Sequence, residues 1–503
     1  MTMQKPTEND QSSISNHNKN RIKSLLLYCA SFAALTTIYY YFSTFFGLNS
    51  DRASILLEAK DILNGNVFLD GWYLSTVPFY FTETLPLAFL SLLFGAKSFL
   101  LHLMPALYYS LVVLLSFNLM RKKNKSCIPF IGLMLIPSPF FASLSMTACI
   151  HMGAILFSLI IINSYEKDNS LAKKIFLSFI GGLTVYSDNL AVYFLIIPIF
   201  TAVIILFIKD NNASVLNHAM IPVGAIFFSK LIHFLFNEID SFVVSGTIPP
   251  RFATIDSLFF NAKIMMESIL ELLGANFLGG SIDEITTKLS LLIFIIVISL
   301  FFISIKEMKK GQSFKFVDYI LLHSSIVLPV AFLISNMPAD LGSARYLLPS
   351  AISFIIFIGR NSKIEKKYPL LLIGVAVFCL INVWGIKKTK IHEISYPVSE
   401  YLKEKNLGNG FANYWRASSI STIIDDGDTV IVPVNVSTID GKIYAYKWLS
   451  NSKWFALQSR YIILNSDEQL HALTRKFGDD AYIKKINDTY IVIYKDKRLS
   501  ITG

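Results

Sequence analysis

Long apolar stretches recur along most of this chain, and they constrain its fold more than any other feature. They run from Leu25 to Trp384, and many approach the roughly 20 residues that cross a bilayer as a helix. Over the whole chain 53% of the residues are hydrophobic and 16% are charged, whereas soluble domains are about a quarter charged. The pattern excludes a string of soluble domains and predicts a mainly α-helical, polytopic transmembrane bundle.

The stretches predict about eleven crossings. We place the spans at 24–46, 98–120, 127–143, 148–165, 173–187, 189–208, 215–236, 288–305, 317–335, 346–360 and 369–386. The segment 79–94 is also apolar, but it is short and contains Glu83 and Pro86, so we interpret it as re-entrant or interfacial. Residues 1–23 are polar and lack the apolar core of a signal peptide, which predicts a disordered cytoplasmic tail.

The net charge of +10 predicts an orientation rather than a nucleic-acid surface. The tail and every second short loop together carry 20 Lys and Arg residues, whereas the short opposite loops carry only Arg345. Basic residues in short loops stay cytoplasmic during insertion. The transmembrane domain, 24–390, therefore has two long outer loops, 47–97 and 237–287, and its C-terminal side is predicted to be non-cytoplasmic.

Residues 391–503 predict a small soluble α/β domain on that outer side. Helices are expected at 398–405 and 467–477, and strands at 429–433, 442–448, 461–464 and 490–494. In the outer loops, the amphipathic segments 55–63 and 259–273 are expected to lie on the membrane surface. All four cysteines lie in or beside apolar segments, so the sequence indicates neither a disulfide framework nor a metal motif.

Acidic residues on the outer face are the first candidates for chemistry. Asp51 directly follows the first span, where partial desolvation suits a general base that acts on a hydroxyl. The alternative is that Ser50 or Asp51 caps the helix that follows. Asp188 lies between two spans, and a cap is again the alternative; Asp61 is interpreted as a solvated loop residue.

Cationic residues on this face are scarce. Lys230 and His233 stand one helical turn apart inside a span, Arg345 opens another span, and His102 and His151 lie near the outer ends of two more. With the acids they suit a substrate whose phosphate lies at headgroup level on a long lipid tail. Snorkelling to the interface, burial in the core and ion pairing within the protein are the alternatives.

Four segments resemble the GT-C superfamily of glycosyltransferases, which includes protein mannosyltransferases and bacterial family-39-like enzymes that use polyprenyl-phosphate sugars. They are 51–66, 78–95 with its terminal Leu-Phe-Gly, 187–189, and 344–349 with Arg-Tyr-Leu-Leu-Pro. The resemblance implies a glycosyltransferase of the plasma (bacterial inner) membrane. It would pass a sugar from a polyprenyl-phosphate donor to a hydroxyl of a glycolipid, polysaccharide or protein, with no role for nucleic acid.

The resemblance also implies roles for particular residues. Asp51 holds the loop-one aspartate position, as the catalytic base or as a ligand of a divalent cation, and Asp188 assists it. Arg52 stands where many relatives have a second acid, and His102 where many have an arginine. No organic cofactor is implied.

The remaining predicted roles concern the two substrates. Donor phosphate binding is assigned to Lys230, Arg345, His233 and His102, and acceptor or sugar binding to Glu58, Tyr414 and Trp415. A polysaccharide polymerase or ligase, a lipid-linked sugar transporter or flippase, and a non-catalytic subunit that works through its C-terminal domain are the competing hypotheses.

Overall fold

The computed structural model describes residues 8–167, 170–246, 251–308, 314–362, 369–389, 395–424 and 429–502, with side chains from residue 22. The membrane part is helical. Its helices are α1 (Glu8–Ser43), α2 (Ser50–Leu63), α3 (Leu85–Phe94), α4 (Leu100–Arg121), α5 (Ile128–Leu135), α6 (Pro139–Ser145), α7 (Met152–Ser164), α8 (Leu171–Ser187), α9 (Ile197–Asp210), α10 (Met220–Glu238), α11 (Ile255–Leu272), α12 (Ile285–Met308), α13 (Phe316–Ile334), α14 (Leu348–Asn361) and α15 (Pro369–Lys388). Helix α1 thus begins within the predicted tail, of which residues 1–7 lie outside the described part.

Within the described residues, eight helical segments are long and apolar enough to cross a membrane, or nine if α5 and α6 form one span. They confirm an integral membrane protein, and each falls on a predicted span. The other predicted spans, 127–143, 148–165 and 173–187, correspond to the α5–α6 pair, to the 13-residue α7 and to the 17-residue α8. The α5–α6 pair bends by 73° at Pro137 and Pro139, because proline removes a backbone donor and disfavours helix before it.

The segment 79–94 is one turn of π-helix, Tyr80–Thr84, that continues into α3. Its start is held against the end of α8: the backbone N–H of Phe79 donates to the carbonyl of Ser187 at 3.0 Å, and that of Phe81 donates to Ser187 Oγ at 2.9 Å. Together the turn and α3 are too short for a span, as the re-entrant or interfacial interpretation requires.

The C-terminal part is an α/β domain. Its helices are α16 (Ser395–Glu404), α17 (Tyr414–Ile424) and α18 (Asp467–Phe477). Its sheet has the order β5-β4-β3-β7-β9-β8. The strands of this sheet are β3 (Gly410–Asn413), β4 (Ile431–Val436), β5 (Ile443–Ala445), β7 (Tyr461–Leu464), β8 (Tyr482–Ile486) and β9 (Thr489–Ile493). Helices α16 and α17 cover one face of the sheet, and α18 covers the other.

A second, three-stranded sheet joins the two outer loops to this domain. It consists of β1 (Trp72–Leu74) from the first loop, β2 (Val243–Val244) from the second, and β6 (Ser450–Asn451) from the domain. The backbone pairing places Tyr73 opposite both Val243 and Ser450. Both loops and the C-terminal domain therefore lie at the same end of the bundle. Helix α2, expected on the membrane surface, packs against α17 instead.

Candidate active site

Asp51 lies at the junction between the bundle and the C-terminal domain. Helix α2 is capped by Asn49, whose Oδ1 accepts from the backbone N–H of Arg52 at 3.1 Å. The expectation that Ser50 or Asp51 forms this cap is therefore wrong. Asp51 Oδ1 instead accepts a hydrogen bond from the hydroxyl of Tyr414.

Tyr414 is 3% exposed and starts α17. Burial raises the pKa of its hydroxyl far above the usual range, and the charge of Asp51 adds to that shift, so the phenol keeps its proton and donates. Its ring stacks on Tyr446, with centroids 4.7 Å apart. The neighbouring Trp415 is 56% exposed, and its ring lies edge-on to that of Tyr414 at 5.1 Å.

Asp188 is fully buried where α8 ends. Its Oδ2 lies 2.7 Å from Nδ1 of His151, and its Oδ1 accepts from the backbone N–H of Leu190 at 3.0 Å. The side chain therefore bonds to the turn between the two helices and also pairs with His151, whereas the N-cap of the following helical segment is Ala191 and not Asp188. This pairing fixes the orientation of the imidazole ring.

Glu83 is a further acid near the Asp188–His151 pair. In the sequence it served only as an argument that the segment 79–94 does not cross the membrane. Its side chain is 1% exposed, and Oε2 accepts from the backbone N–H of Cys149 at 2.6 Å. Burial raises the pKa of Glu83 to about 7; the Cys149 hydrogen bond and His151 oppose the shift, and Asp188 adds to it. A carboxylate in an apolar segment is costly to bury. The presence of Glu83 within the segment 79–94 was therefore the feature of the sequence that could have indicated a functional site.

Glu58 adds a carboxyl group from α2. It is 3% exposed, and Oε2 accepts from Thr84 Oγ1 at 3.0 Å. Burial raises the pKa of Glu58 to about 8; the Thr84 hydrogen bond opposes this shift, and the charge of Glu83 adds to it. The structure therefore places Glu58 inside the protein, below the surface that an acceptor would reach.

Helix α2 connects Asp51 with these acids. Asp51 stands in its first turn, and Glu58 lies further along the same helix. The hydrogen bond from Thr84 to Glu58 joins this helix to the residue that follows Glu83. Asp51 and Glu83 are therefore carried by two elements that contact each other.

Strained backbone marks the same place. Phe79, Cys149 and His151 have positive φ values of 50°, 61° and 60°, a region that costs a side-chain-bearing residue about 1–3 kcal/mol. The ring of Phe79 lies 5.7 Å from that of His151. Such strain concentrates at functional sites, which supports a functional role for this cluster.

Arg345 stands at the rim of the cluster. It is exposed, its Nη2 donates to Tyr346 Oη at 3.1 Å, and its guanidinium carbon lies 4.9 Å from the Tyr346 ring centroid. That ring is 5.7 Å from the ring of His151. The sequence-predicted cation is therefore linked to the acidic cluster through two aromatic side chains.

The other predicted phosphate ligands lie elsewhere. Lys230 and His233 occupy an exposed face of α10, where Nε2 of His233 is 3.3 Å from Asn237 Nδ2. His102 Nδ1 is 3.0 Å from Ser43 Oγ. In the described part of the chain, none of the three forms an ion pair or hydrogen bond with an acid of the cluster.

An apolar cavity of about 330 Å³ lies among α5, α6 and α11–α15. Leu347 and Ser350, two and five residues beyond Arg345, are among the residues that line it, together with Ile358 near the other end of α14. Across the described ranges, no group of three or more His, Cys, Asp or Glu side chains is placed to hold a metal ion. A divalent cation at Asp51 stays a prediction.

Comparisons with known proteins give matches at the level of structure. No protein-family model and no curated protein sequence matches the chain. The crystal structure of ArnT from Cupriavidus metallidurans bound to undecaprenyl phosphate is similar to it, with a TM-score of 0.58 and 12% identity over 92% of this chain and 97% of that one. The apo form gives 0.59 and 11%, over 93% and 98%. An Archaeoglobus fulgidus oligosaccharyltransferase gives 0.44 and 12%, over 77% and 61%.

Proposed function

We propose that this chain, which has the fold of the GT-C glycosyltransferases, moves a sugar from a polyprenyl-phosphate donor to a hydroxyl acceptor. The observation that carries the proposal is the group formed by the half-buried Asp51 and the buried Glu83 and Asp188, with Arg345 at its rim. The likeness to ArnT bound to undecaprenyl phosphate supports a polyprenyl-phosphate donor.

Asp51 is the proposed general base. It takes the proton of the acceptor hydroxyl while that oxygen attacks the anomeric carbon of the donor sugar. The bond between this carbon and the phosphate oxygen breaks, and the polyprenyl phosphate leaves with the bonding electrons. Tyr414 holds one carboxylate oxygen of Asp51 in place, and the second oxygen can receive the proton. A positioned base contributes about 10²–10⁴-fold to such a rate.

Arg345 is the proposed ligand of the donor phosphate. Its guanidinium can make paired hydrogen bonds to phosphate oxygens and stabilises the charge that develops on the leaving group. Asp188 assists by orienting His151, whose ring faces Tyr346 beside Arg345. The cavity that Leu347 helps to line suits part of the prenyl chain, because it is lined almost entirely by apolar side chains.

We place the site on the non-cytoplasmic face, because the basic residues lie in the short loops at the opposite end, which are expected to stay cytoplasmic. Cysteines introduced at Lys125 and Asp467, both exposed, test this placement with an impermeant thiol reagent. Only the cysteine at 467 should react from outside. Reaction at 125 would invert the topology. Lys123 lies in the same loop as Lys125 but is a poorer position for labelling, because its Nζ contacts Asp318 Oδ2 at 2.6 Å and its side chain is only 10% exposed.

Transfer itself is tested with the full chain in lipid vesicles that contain radiolabelled polyprenyl-phosphate sugars. Asp51→Asn should lower the rate by about 10²-fold or more. Asp70→Asn, which changes an exposed acid of the same loop, should leave the rate unchanged. Equal rates in Asp51→Asn and wild type would remove Asp51 from the mechanism. Passage of the donor across the vesicle membrane without transfer would indicate a transporter.

A further inference from the structure

The C-terminal domain has a topological switch point between two adjacent parallel strands. Strands β3 and β7 are parallel neighbours, paired as Phe411 with Ile462 and Ala412 with Ile463. The helix after β3, α17, covers one face of the sheet, and the helix after β7, α18, covers the other. Adjacent parallel strands whose helices leave to opposite faces open a crevice at their carboxyl ends, and ligands of α/β domains bind there.

This crevice adjoins the proposed active site. The residues that follow β3 are Tyr414, which donates to Asp51, and the 56% exposed Trp415. The residue that follows β7, Asn465, is also exposed. The domain is held in this position by the backbone N–H of Ser418, which donates to Ser50 Oγ at 3.0 Å, and by β6 in the three-stranded sheet.

The side chains beside the crevice are aromatic rings and an amide. Trp415 and Asn465 follow the two strands, and Tyr446, which follows β5, stacks on Tyr414 beside them. A flat aromatic ring packs against the C–H face of a pyranose, while amide and phenol groups hydrogen-bond to its hydroxyls. Sites for small ligands usually combine aromatic surface with a few polar groups.

From this juxtaposition we infer that the acceptor is a glycan and that its terminal sugar binds at the crevice, on Trp415, with the hydroxyl to be modified directed at Asp51. The inference rests on the proposed function and selects its acceptor class. Tyr414 connects the two places, because the same turn that presents Trp415 also holds Asp51.

The test uses the full chain in phosphatidylcholine vesicles, with a panel of soluble oligosaccharides and Ser/Thr-containing peptides as acceptors. Trp415→Ala should raise the KM for an oligosaccharide acceptor by about 3- to 10-fold, with kcat and the KM for the donor unchanged. Trp415→Phe, which keeps a ring, should restore most of the affinity. The control is Tyr482→Ala, which removes a 59% exposed aromatic from β8 at the far edge of the sheet.

Binding of the same oligosaccharides to wild type and to Trp415→Ala, by calorimetry without donor, separates this inference from the proposed function. Weaker binding by the variant supports the crevice even if no transfer is found, which would refute the proposed function alone. Three outcomes would overturn the inference: no oligosaccharide binding by wild type, peptides as the preferred acceptors, or an acceptor KM that is unchanged in Trp415→Ala. If the substitution weakened only the attachment of the domain to vesicles, Trp415 would be a lipid anchor.

Discussion

The two ends of the helical bundle both bury charged groups, but they do so in opposite ways. At the end predicted to be cytoplasmic, the fully buried Arg360 pairs with Asp318, Nε to Oδ1 at 2.8 Å, and with Glu166, Nη2 to Oε1 at 2.6 Å. Lys123 Nζ approaches Asp318 Oδ2 at 2.6 Å. Two acids thus face two cations, and each charge has an opposite charge in contact.

The other end lies some 15 residues away along α14, roughly 20 Å. There the buried acids Glu58, Glu83 and Asp188 accept hydrogen bonds from neutral groups: the hydroxyl of Thr84 and the backbone N–H groups of Cys149 and Leu190. The pKa values of Glu58 and Glu83 are raised to about 8 and about 7 by burial. Removing one partner of a buried ion-paired cluster destabilises a fold, whereas buried acids with shifted pKa values are typical of a site that acts on a substrate.

The largest expected effect concerns the neutralised end. Arg360→Met leaves Asp318 and Glu166 buried without their shared partner, which should lower the free energy of unfolding by about 3–5 kcal/mol. Thermal unfolding in detergent measures the loss. Lys125→Met, which removes an exposed charge from the same side, serves as the control. Equal midpoints in the two variants would show that the cluster does not stabilise the fold.

A smaller effect is expected at the rim of the acidic end, and it distinguishes two predicted phosphate ligands. Arg345→Ala should raise the KM for the donor by about 10-fold or more, since hydrogen bonds to charged groups contribute about 1.5–3 kcal/mol. Lys230→Ala should change it by less than about twofold, because Lys230 is exposed on α10 and surface charges contribute little. A larger rise of the donor KM in Lys230→Ala than in Arg345→Ala would indicate that the donor phosphate binds at α10 instead.

The membrane spans could be predicted from the sequence because hydropathy is a property of each segment alone. The bend between α5 and α6 was not predicted, since 127–143 was interpreted as one span, although Pro137 and Pro139 are the residues at which it occurs. The cap of α2 was not readable: Asn49, Ser50 and Asp51 are all good capping residues, and only the backbone conformation of Asn49 selects it.

The site was predicted in part for a related reason. Asp51 and Asp188 stood out because they lie at the ends of apolar spans. Their partners come from distant segments: Tyr414 is 363 residues from Asp51, and His151 is 37 from Asp188. Such pairings depend on tertiary packing. Strand β3, which brings Tyr414 to the site, has four residues and too short a pattern to be predicted.

The smallest expected effect is a pH dependence of stability at the acidic end. In the folded chain Glu58 holds its proton up to about pH 8, whereas its ordinary pKa is 4.5. Below pH 4.5 both states are protonated and the group contributes its full stability. As the pH rises, the unfolded chain releases the proton first, so this stability is lost progressively up to about pH 8.

The thermal midpoint of the wild type should therefore fall between pH 5 and pH 8, by on the order of 2 °C or more. Glu58→Gln removes the titrating group but can still accept from Thr84, so its midpoint should fall less. Burial raises the pKa of Glu83 as well, so the thermal midpoint of Glu58→Gln should still depend on pH to some extent. Glu404→Gln, at an exposed position of α16, should behave as wild type. An unchanged slope in Glu58→Gln would mean that Glu58 is ionised in the folded protein, so that a raised pKa of this acid would no longer distinguish the two ends of the bundle.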